Sequence, residues 1–188
     1  MPVAAATGPA VGHPAPDFTA YTAADETVRL ADLKGKIVIL EWTNDGCPFV
    51  QKHYGAGNMQ ALQNEMTFKG IVWAQVLSSE PGSQGHADAK TAIKLNVDRG
   101  AKPTHVFLDP AGVIGRAYMA KTTPHMFVID PKGILVYMGA IDSNPSADPA
   151  DIVGAENYVR SAVADLEAGH PVKTPVTKPY GCGVKYAG

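Results

Sequence analysis

The sequence predicts an α/β fold in which a central mixed β-sheet is flanked by helices. Short apolar runs, Ile37–Trp42, Ile71–Leu77 and Thr104–Leu108, alternate with helical stretches, which is the α/β signature. His125–Asp130, the turn Pro131-Lys132-Gly133 and the run Ile134–Met138 read as a hairpin, which adds antiparallel strands. Further on, Ile152, Ala155, Val159, Ala162, Val163 and Leu166 recur at helical spacing, so Asp151–Ala168 is predicted as an amphipathic helix packing on the sheet.

Taken in order, the chain opens with MPVAAATGPAVGHPAP, which is small, Pro-rich and uncharged. It lacks the basic start and long apolar stretch of a signal peptide, so residues 1–10 are predicted as a flexible lead. Such a start also resembles what remains after a signal peptide is removed, which tips the expected location towards the periplasm or outside the cell rather than the cytoplasm. Gly12–Phe18 is turn-rich, and Thr27–Leu30 with Ala31–Lys36 reads as an opening hairpin. Ile37–Trp42 is apolar on both faces, as a central strand is. A helix from Pro48 to Tyr54 ends at the Gly55-Ala56-Gly57 step, and a second, Asn58–Lys69, closes at Gly70. After the strand Ile71–Leu77 come a polar loop, Ser78–Gly85, a helix at Ala87–Leu95, the strand Thr104–Leu108 and a short helix at Val113–Met119. Residues 11–168 are expected as one domain, with 169–188 as an extended C-terminal arm carrying Cys182.

Composition narrows the function classes. With 18% charged residues, 45% hydrophobic ones and a net charge of −2, nothing points to a nucleic-acid or anionic-membrane partner. No apolar run reaches the length of a transmembrane helix. Two cysteines far apart cannot build a cysteine cage, so no metal and no cofactor is predicted. Neither coiled-coil heptads nor an apolar surface stripe speaks to oligomeric state.

The chemistry centres on Ile37–Tyr54. The strand is followed by the polar turn Thr43-Asn44-Asp45-Gly46, which delivers Cys47 and Pro48 to a helix start, Pro48 being preorganised for the first helical position. There the free N–H groups and the helix dipole favour a thiolate, the form that attacks disulfides and peroxides. The alternative is a buried cysteine acting as a small hydrophobe. Gln51, one turn on, lies on the same face, whereas His53 points away and reads as a surface or packing residue. His105 and His125 lack metal-ligand spacing, and Trp42 and Trp73 read as core or pocket-wall aromatics.

Cys47-Pro48 after a strand, Thr123-Pro124 before a strand and the hairpin HMFVIDPKGILVYMG together resemble the thioredoxin superfamily. Within it GHPAPDF, EWTNDGCPFVQKHY and AKTTPHMFVID are similar to peroxiredoxin-like redoxins of the alkyl-hydroperoxide-reductase and thiol-antioxidant group. The resemblance implies a thioredoxin-like fold and a thiol-dependent oxidoreductase with Cys47 as nucleophile, acting on protein or small-molecule thiols and disulfides, with peroxide as a further candidate. It also implies that Glu41 is a buried acid accepting the cysteine proton, and that Thr123 and Pro124 form a substrate wall beside Asn44, Pro48 and Gln51. This sequence departs from the pattern in three places. Val50 stands where a CxxC would have its second cysteine, Asn44 where peroxiredoxins carry a threonine, and Pro124 where they carry an arginine. Arg99 and Arg116 are the candidates to supply that charge from elsewhere. Cys182, as resolving cysteines on C-terminal arms do in related proteins, is expected to fold back on Cys47; a free surface thiol or a bridge to another chain are its other readings. Loss of the CxxC also leaves room for a non-catalytic binding module or a metallochaperone.

Overall fold

The computed structural model describes residues 8–188, so the expected lead lies outside the described residues as far as residue 7. In chain order the strands are β1 (Thr19–Thr22), β2 (Thr27–Arg29), β3 (Val38–Trp42), β4 (Val72–Leu77), β5 (His105–Leu108), β6 (Thr122–Thr123), β7 (His125–Ile129), β8 (Leu135–Gly139) and β9 (Cys182–Gly183). The helices are α1 (Pro48–Gly55), α2 (Asn58–Phe68), α3 (Ala89–Arg99), α4 (Val113–Ala117) and α5 (Tyr158–Glu167). Seven strands form one sheet in the order β2-β1-β5-β4-β3-β7-β8, and β6 pairs with β9 in a separate ladder. Within the large sheet β3, β4 and β5 run parallel, whereas β7 lies antiparallel to β3 and to β8. The predicted mixed sheet flanked by helices is therefore the architecture observed.

Strand β3 is central because both of its faces have somewhere apolar to go. Val38, Leu40 and Trp42 pack with Phe18, Phe107, Tyr118 and Phe127 on one side. Ile39 faces the other, with Val50 of α1, Met59, Leu62 and Met66 of α2, and Val159 and Val163 of α5. A strand covered on both sides shows no alternation, which is why its sequence is apolar apart from the buried Glu41. Helices α1, α2 and α5 thus share one layer, and α4 lies with the opening hairpin on the other.

Three segments differ from the sequence reading. The opening hairpin is made by β1 with β2, and the segment after it, Leu30–Leu33, is a 3-10 turn rather than hairpin strand. Only Ala20 and Thr22 of TAYT face inward, too few for a hydrophobic signal. Helix α3 runs later than Ala87–Leu95, because Asp88 accepts the Thr91 N–H as its N-cap and Gly100, at φ 68°, supplies the left-handed stop. The predicted helix over Asp151–Ala168 splits. Asp148 caps a 3-10 turn at Pro149–Ile152, and the helix proper starts only where Asn157 accepts the Arg160 N–H. Ile152 and Ala155 matched the helical period but lie before that cap.

The arm is packed rather than loose. The Met138 N–H donates to Pro175 O and the Thr177 N–H to Met138 O, which fastens the arm along β8. Gly139, at φ 150°, lets it come this close, since a Cβ there would overlap Thr177. Farther on, the Val184 N–H donates to Lys121 O, the Glu80 N–H to Lys185 O and the Tyr186 hydroxyl to Ala120 O. The arm thus straps the chain from β8 to the segment after α4.

Leu40 has no exposure, whereas Phe68 at the end of α2 is 94% exposed. Truncation of Leu40 to Ala should cost about 2–5 kcal/mol of unfolding free energy in urea titrations, and Phe68→Ser should change it by less than about 0.5 kcal/mol.

Candidate active site

The turn after β3 is built by its own side chains. Asn44 Oδ1 accepts the Gly46 N–H at 2.9 Å, the Cys47 N–H donates to Asn44 O at 3.1 Å, and Gln51 Nε2 donates to Asp45 O at 2.9 Å. This closed turn sets Cys47 at the N-cap of α1, in extended backbone (φ −83°, ψ 124°), with Pro48 at the first helical position. The free N–H groups of the first turn of α1, that of Val50 among them, favour the charged form of the Cys47 sulfur. Asn44 is buried and its amide donates to Gln84 Oε1 at 3.3 Å, so both ends of its side chain are committed to the turn and the neighbouring loop. Gln51 is exposed and braces the turn from outside.

Cys47 is closed off from solvent, with 0% exposure. The lid is the arm. Thr123 and Cys182 are paired residues of the β6–β9 ladder, so the second cysteine is delivered by backbone hydrogen bonding to the segment beside the first. The Thr123–Pro124 peptide is cis, and Thr123 O accepts from the Cys47 thiol at 3.2 Å. Gly181, at φ 140°, lies so close to the Thr123 carbonyl that a Cβ would overlap it.

The two thiols differ in acidity. Burial pushes Cys47 up, but the neighbouring Cys182 thiol, Val50 N–H and Thr123 side chain favour its charged form and outweigh it, so the net direction is below the ordinary 9.0. Cys182 moves the other way, to about 11, first through burial and then because it faces the charge on Cys47. One thiol is therefore disposed to ionise and the other to hold its proton.

Glu41 lies on the α1 side of β3, without exposure, and makes no hydrogen bond to Cys47. Its carboxylate accepts from Tyr54 at 2.7 and 2.9 Å, from Trp73 Nε1 at 2.9 Å and from Gln63 at 3.2 Å. Gln75 then bonds the Tyr54 hydroxyl at 2.8 Å, and Arg99 stacks 3.7 Å from the centre of the Tyr54 ring. Burial raises the Glu41 carboxyl above 4.5, against the pull of these donors and of Arg99.

His53, read from the sequence as a surface or packing residue, and two residues the sequence did not single out complete the site. His53 is fully buried and meets the Tyr180 hydroxyl at 3.2 Å; Lys52 and Asp142, also buried, lie against the same hydroxyl. Helical phase alone turns His53 away from Cys47, and it does not register that the arm returns to cover that side. The Tyr180-Gly181-Cys182-Gly183 stretch, with an aromatic beside a glycine-flanked cysteine, was the available signal. His125 is buried on β7 and accepts the Lys121 N–H at 3.1 Å.

The family model for AhpC/TSA matches residues 11–138 of the sequence. The chain belongs to the AhpC/TSA family. No curated protein sequence matches it. Among solved structures this AhpC/TSA chain is similar to a hypothetical protein of Sinorhizobium meliloti, at 21% identity and a TM-score of 0.79 over 96% of this chain and 97% of that one. It is similar to an uncharacterized conserved protein of Geobacillus kaustophilus, at 24% identity and a TM-score of 0.77 over 95% and 93%. A putative thiol:disulfide interchange protein DsbE of Chlorobium tepidum matches at 25% identity and a TM-score of 0.56 over 70% and 85%. The AhpC/TSA chain is thus a thioredoxin-superfamily redoxin. Neither arginine offered as a substitute charge is at Cys47. Arg99 bonds Asn96 and stacks on Tyr54, and Arg116 bonds Ala111 O and Ala187 O beside Tyr186.

Burial pushes His53 and His125 down to about 4 each. The unfolded chain therefore binds more protons than the folded one between pH 6.5 and 4, so stability rises with pH across that window and is lost on acidification. The loss is of order 3 kcal/mol per histidine. Urea titrations from pH 4 to 7 should show a flatter slope for the double variant His53→Gln/His125→Gln than for the wild type. Reading the difference removes the opposing contribution of Glu41, whose folded form keeps its proton above 4.5. A second expectation concerns the lid. Gly181→Ala cannot keep its contact with Thr123, so alkylation of Cys47 in the native protein should accelerate roughly tenfold or more, measured by mass spectrometry of the labelled peptide.

Proposed function

We propose that the chain is a thiol-disulfide oxidoreductase in which Cys47 is the nucleophile and Cys182 resolves the intermediate. The observation that carries this reading is the placement of Cys182 opposite Thr123 in the ladder, with the Thr123 carbonyl accepting from the Cys47 thiol at 3.2 Å; the opposite acidities of the two thiols support it. The Cys47 thiolate attacks one sulfur of a substrate disulfide. A Cys47–substrate disulfide forms, and the electron pair of the broken bond leaves on the other substrate sulfur, which takes a proton. Cys47 is then uncharged, so the repulsion that helped Cys182 keep its proton is gone. Cys182 ionises and attacks Cys47 Sγ, closing Cys47–Cys182 and expelling the second substrate thiolate. The substrate gains two electrons and the cysteine pair loses them. Glu41 enters this scheme as a support for α1 through Tyr54 rather than by direct contact with the sulfur.

Disulfides are the favoured substrates over peroxides. Charge developing on a peroxide needs aimed donors, and here Asn44 is spent on Gly46 and Gln84 while Pro124 supplies none. An oxidising compartment outside the cytoplasm suits a cycle that rests in the Cys47–Cys182 form. The partner that restores the dithiol is then a protein or small-molecule thiol.

Oxidised glutathione added to the reduced protein should produce a Cys47–Cys182 disulfide seen by peptide mapping. Cys182→Ser should stop at a glutathione adduct on Cys47, and Cys47→Ser should show neither product. Adduct formation at Cys182 in place of Cys47 would reverse the assignment. Hydrogen peroxide should oxidise Cys47 no faster than it oxidises an ordinary thiolate.

A further inference from the structure

One residue before Gly181, the arm plunges a side chain into a buried polar pocket behind α1. Tyr180 Oη donates to Asp142 Oδ1 at 2.5 Å and accepts from His53 Nε2 at 3.2 Å. Asn58 Nδ2 donates to His53 Nδ1 at 2.8 Å, which leaves the ring proton on Nε2 for the tyrosine. Donors thus run in one direction, from Asn58 through His53 and Tyr180 to Asp142. Lys52 Nζ stands 3.4 Å from the same hydroxyl and 4.0 Å from Asp142 Oδ2, and donates to Asn144 O at 3.1 Å. The Tyr180 ring meets Phe49 edge to face, with centroids 5.7 Å apart.

Lys52, His53 and Asp142 are 2%, 0% and 4% exposed. Burying such groups is costly unless each finds its partner. Here the hydroxyl of Tyr180 is the group that satisfies His53 and Asp142 together, and it belongs to the arm. An arm that lifted away would leave Asp142 the Asn144 N–H at 3.2 Å and the Lys52 charge but would leave the His53 Nε2 proton with only Asp142 Oδ2, 3.8 Å away, so the pocket favours the docked state by more than the tyrosine ring contact alone. Only Gly181 separates this anchor from Cys182, and its backbone is pressed against the Thr123 carbonyl.

We propose that Tyr180 is a positioning residue: seated in the Lys52–His53–Asp142 pocket, it latches the arm so that Cys182 rather than an external thiol resolves the Cys47 intermediate. The proposal rests on the reading of Cys182 as the resolving thiol and adds what controls it. With the latch closed, Thr123 has its backbone partner in Cys182. With it open, the same edge is free to pair with an extended segment of a protein substrate, and the intermediate on Cys47 waits for an outside thiol. The latch therefore sets a competition between the arm and a polypeptide for one groove.

The test is the thiol-disulfide equilibrium of the full-length protein in glutathione buffers, with all species separated by mass. The internal reaction converts one oxidised glutathione into two reduced ones as Cys47–Cys182 forms, so the equilibrium constant gives the effective concentration of Cys182 at Cys47. Tyr180→Phe keeps the ring on Phe49 and loses only the hydroxyl. It should lower that effective concentration roughly tenfold, the loss of one buried hydrogen-bonding group. Tyr180→Ala should lower it further and let the Cys47–glutathione adduct accumulate. Wild-type constants in both variants would overturn the latch while leaving Cys182 as the resolving thiol. No internal disulfide in the wild type at any buffer ratio would overturn that reading itself and the latch with it.

Discussion

The backbone ladder between Thr122–Thr123 and Cys182–Gly183 is the interaction on which the site depends. It brings together two cysteines separated by most of the chain, something neither residue's immediate neighbours could do. The ladder is short, and two residues per strand cannot hold an arm against its own conformational entropy. It persists because the arm is fastened on both sides of it: along β8 through Thr177, in the pocket at Tyr180, and beyond Cys182 through Lys185 and Tyr186. The chemistry of Cys47 is consequently a property of the arm as much as of the helix that Cys47 caps.

Helix α1 carries that arrangement through an unusual inner face. Of its eight residues, Val50, Lys52, His53 and Tyr54 are buried, so most of what it hides is polar. Tyr54 reaches down to Glu41 beneath the helix, while Lys52 and His53 reach across to Asp142 and the arm. Each cluster must be fully hydrogen-bonded to be tolerated there. A helix anchored by directional bonds has little freedom to roll or slide, and Cys47 at its N-cap stays within hydrogen-bond reach of Thr123 O. Apolar packing alone would allow more play.

Much of this was legible in the sequence. Mostly apolar runs, broken only by the buried Glu41 and Gln75, mark β3 and β4 because those strands are covered on both faces, and Pro48 after a polar turn fixes the start of α1. The start of α5 was not legible from periodicity, since Ile152 and Ala155 keep the helical phase while Asn157 decides where the helix begins. Caps are single residues and periods are averages over many, so the two signals can disagree by a full turn or more. The pocket of Lys52, His53 and Asp142 was the least legible part. Its members are ordinary surface residue types, and what buries them is a segment that lies 128 positions from Lys52 in sequence.

The same arm bears on which substrates the fold can serve. An open thioredoxin-like groove offers Thr123 to any extended polypeptide, so selectivity then rests on side-chain pockets alone. Here the groove arrives filled by the chain's own Gly-Cys-Gly, and the missing Cβ of Gly181 is what permits so close an approach to Thr123. A polypeptide has to match the ladder and also make up for the hydroxyl that Tyr180 withdraws from His53 and Asp142. A small disulfide needs only a brief opening above Cys47. On the proposed reading of Cys182 as the resolving thiol, the docked arm would favour small disulfides over polypeptides through the energy of docking rather than through the shape of a cavity.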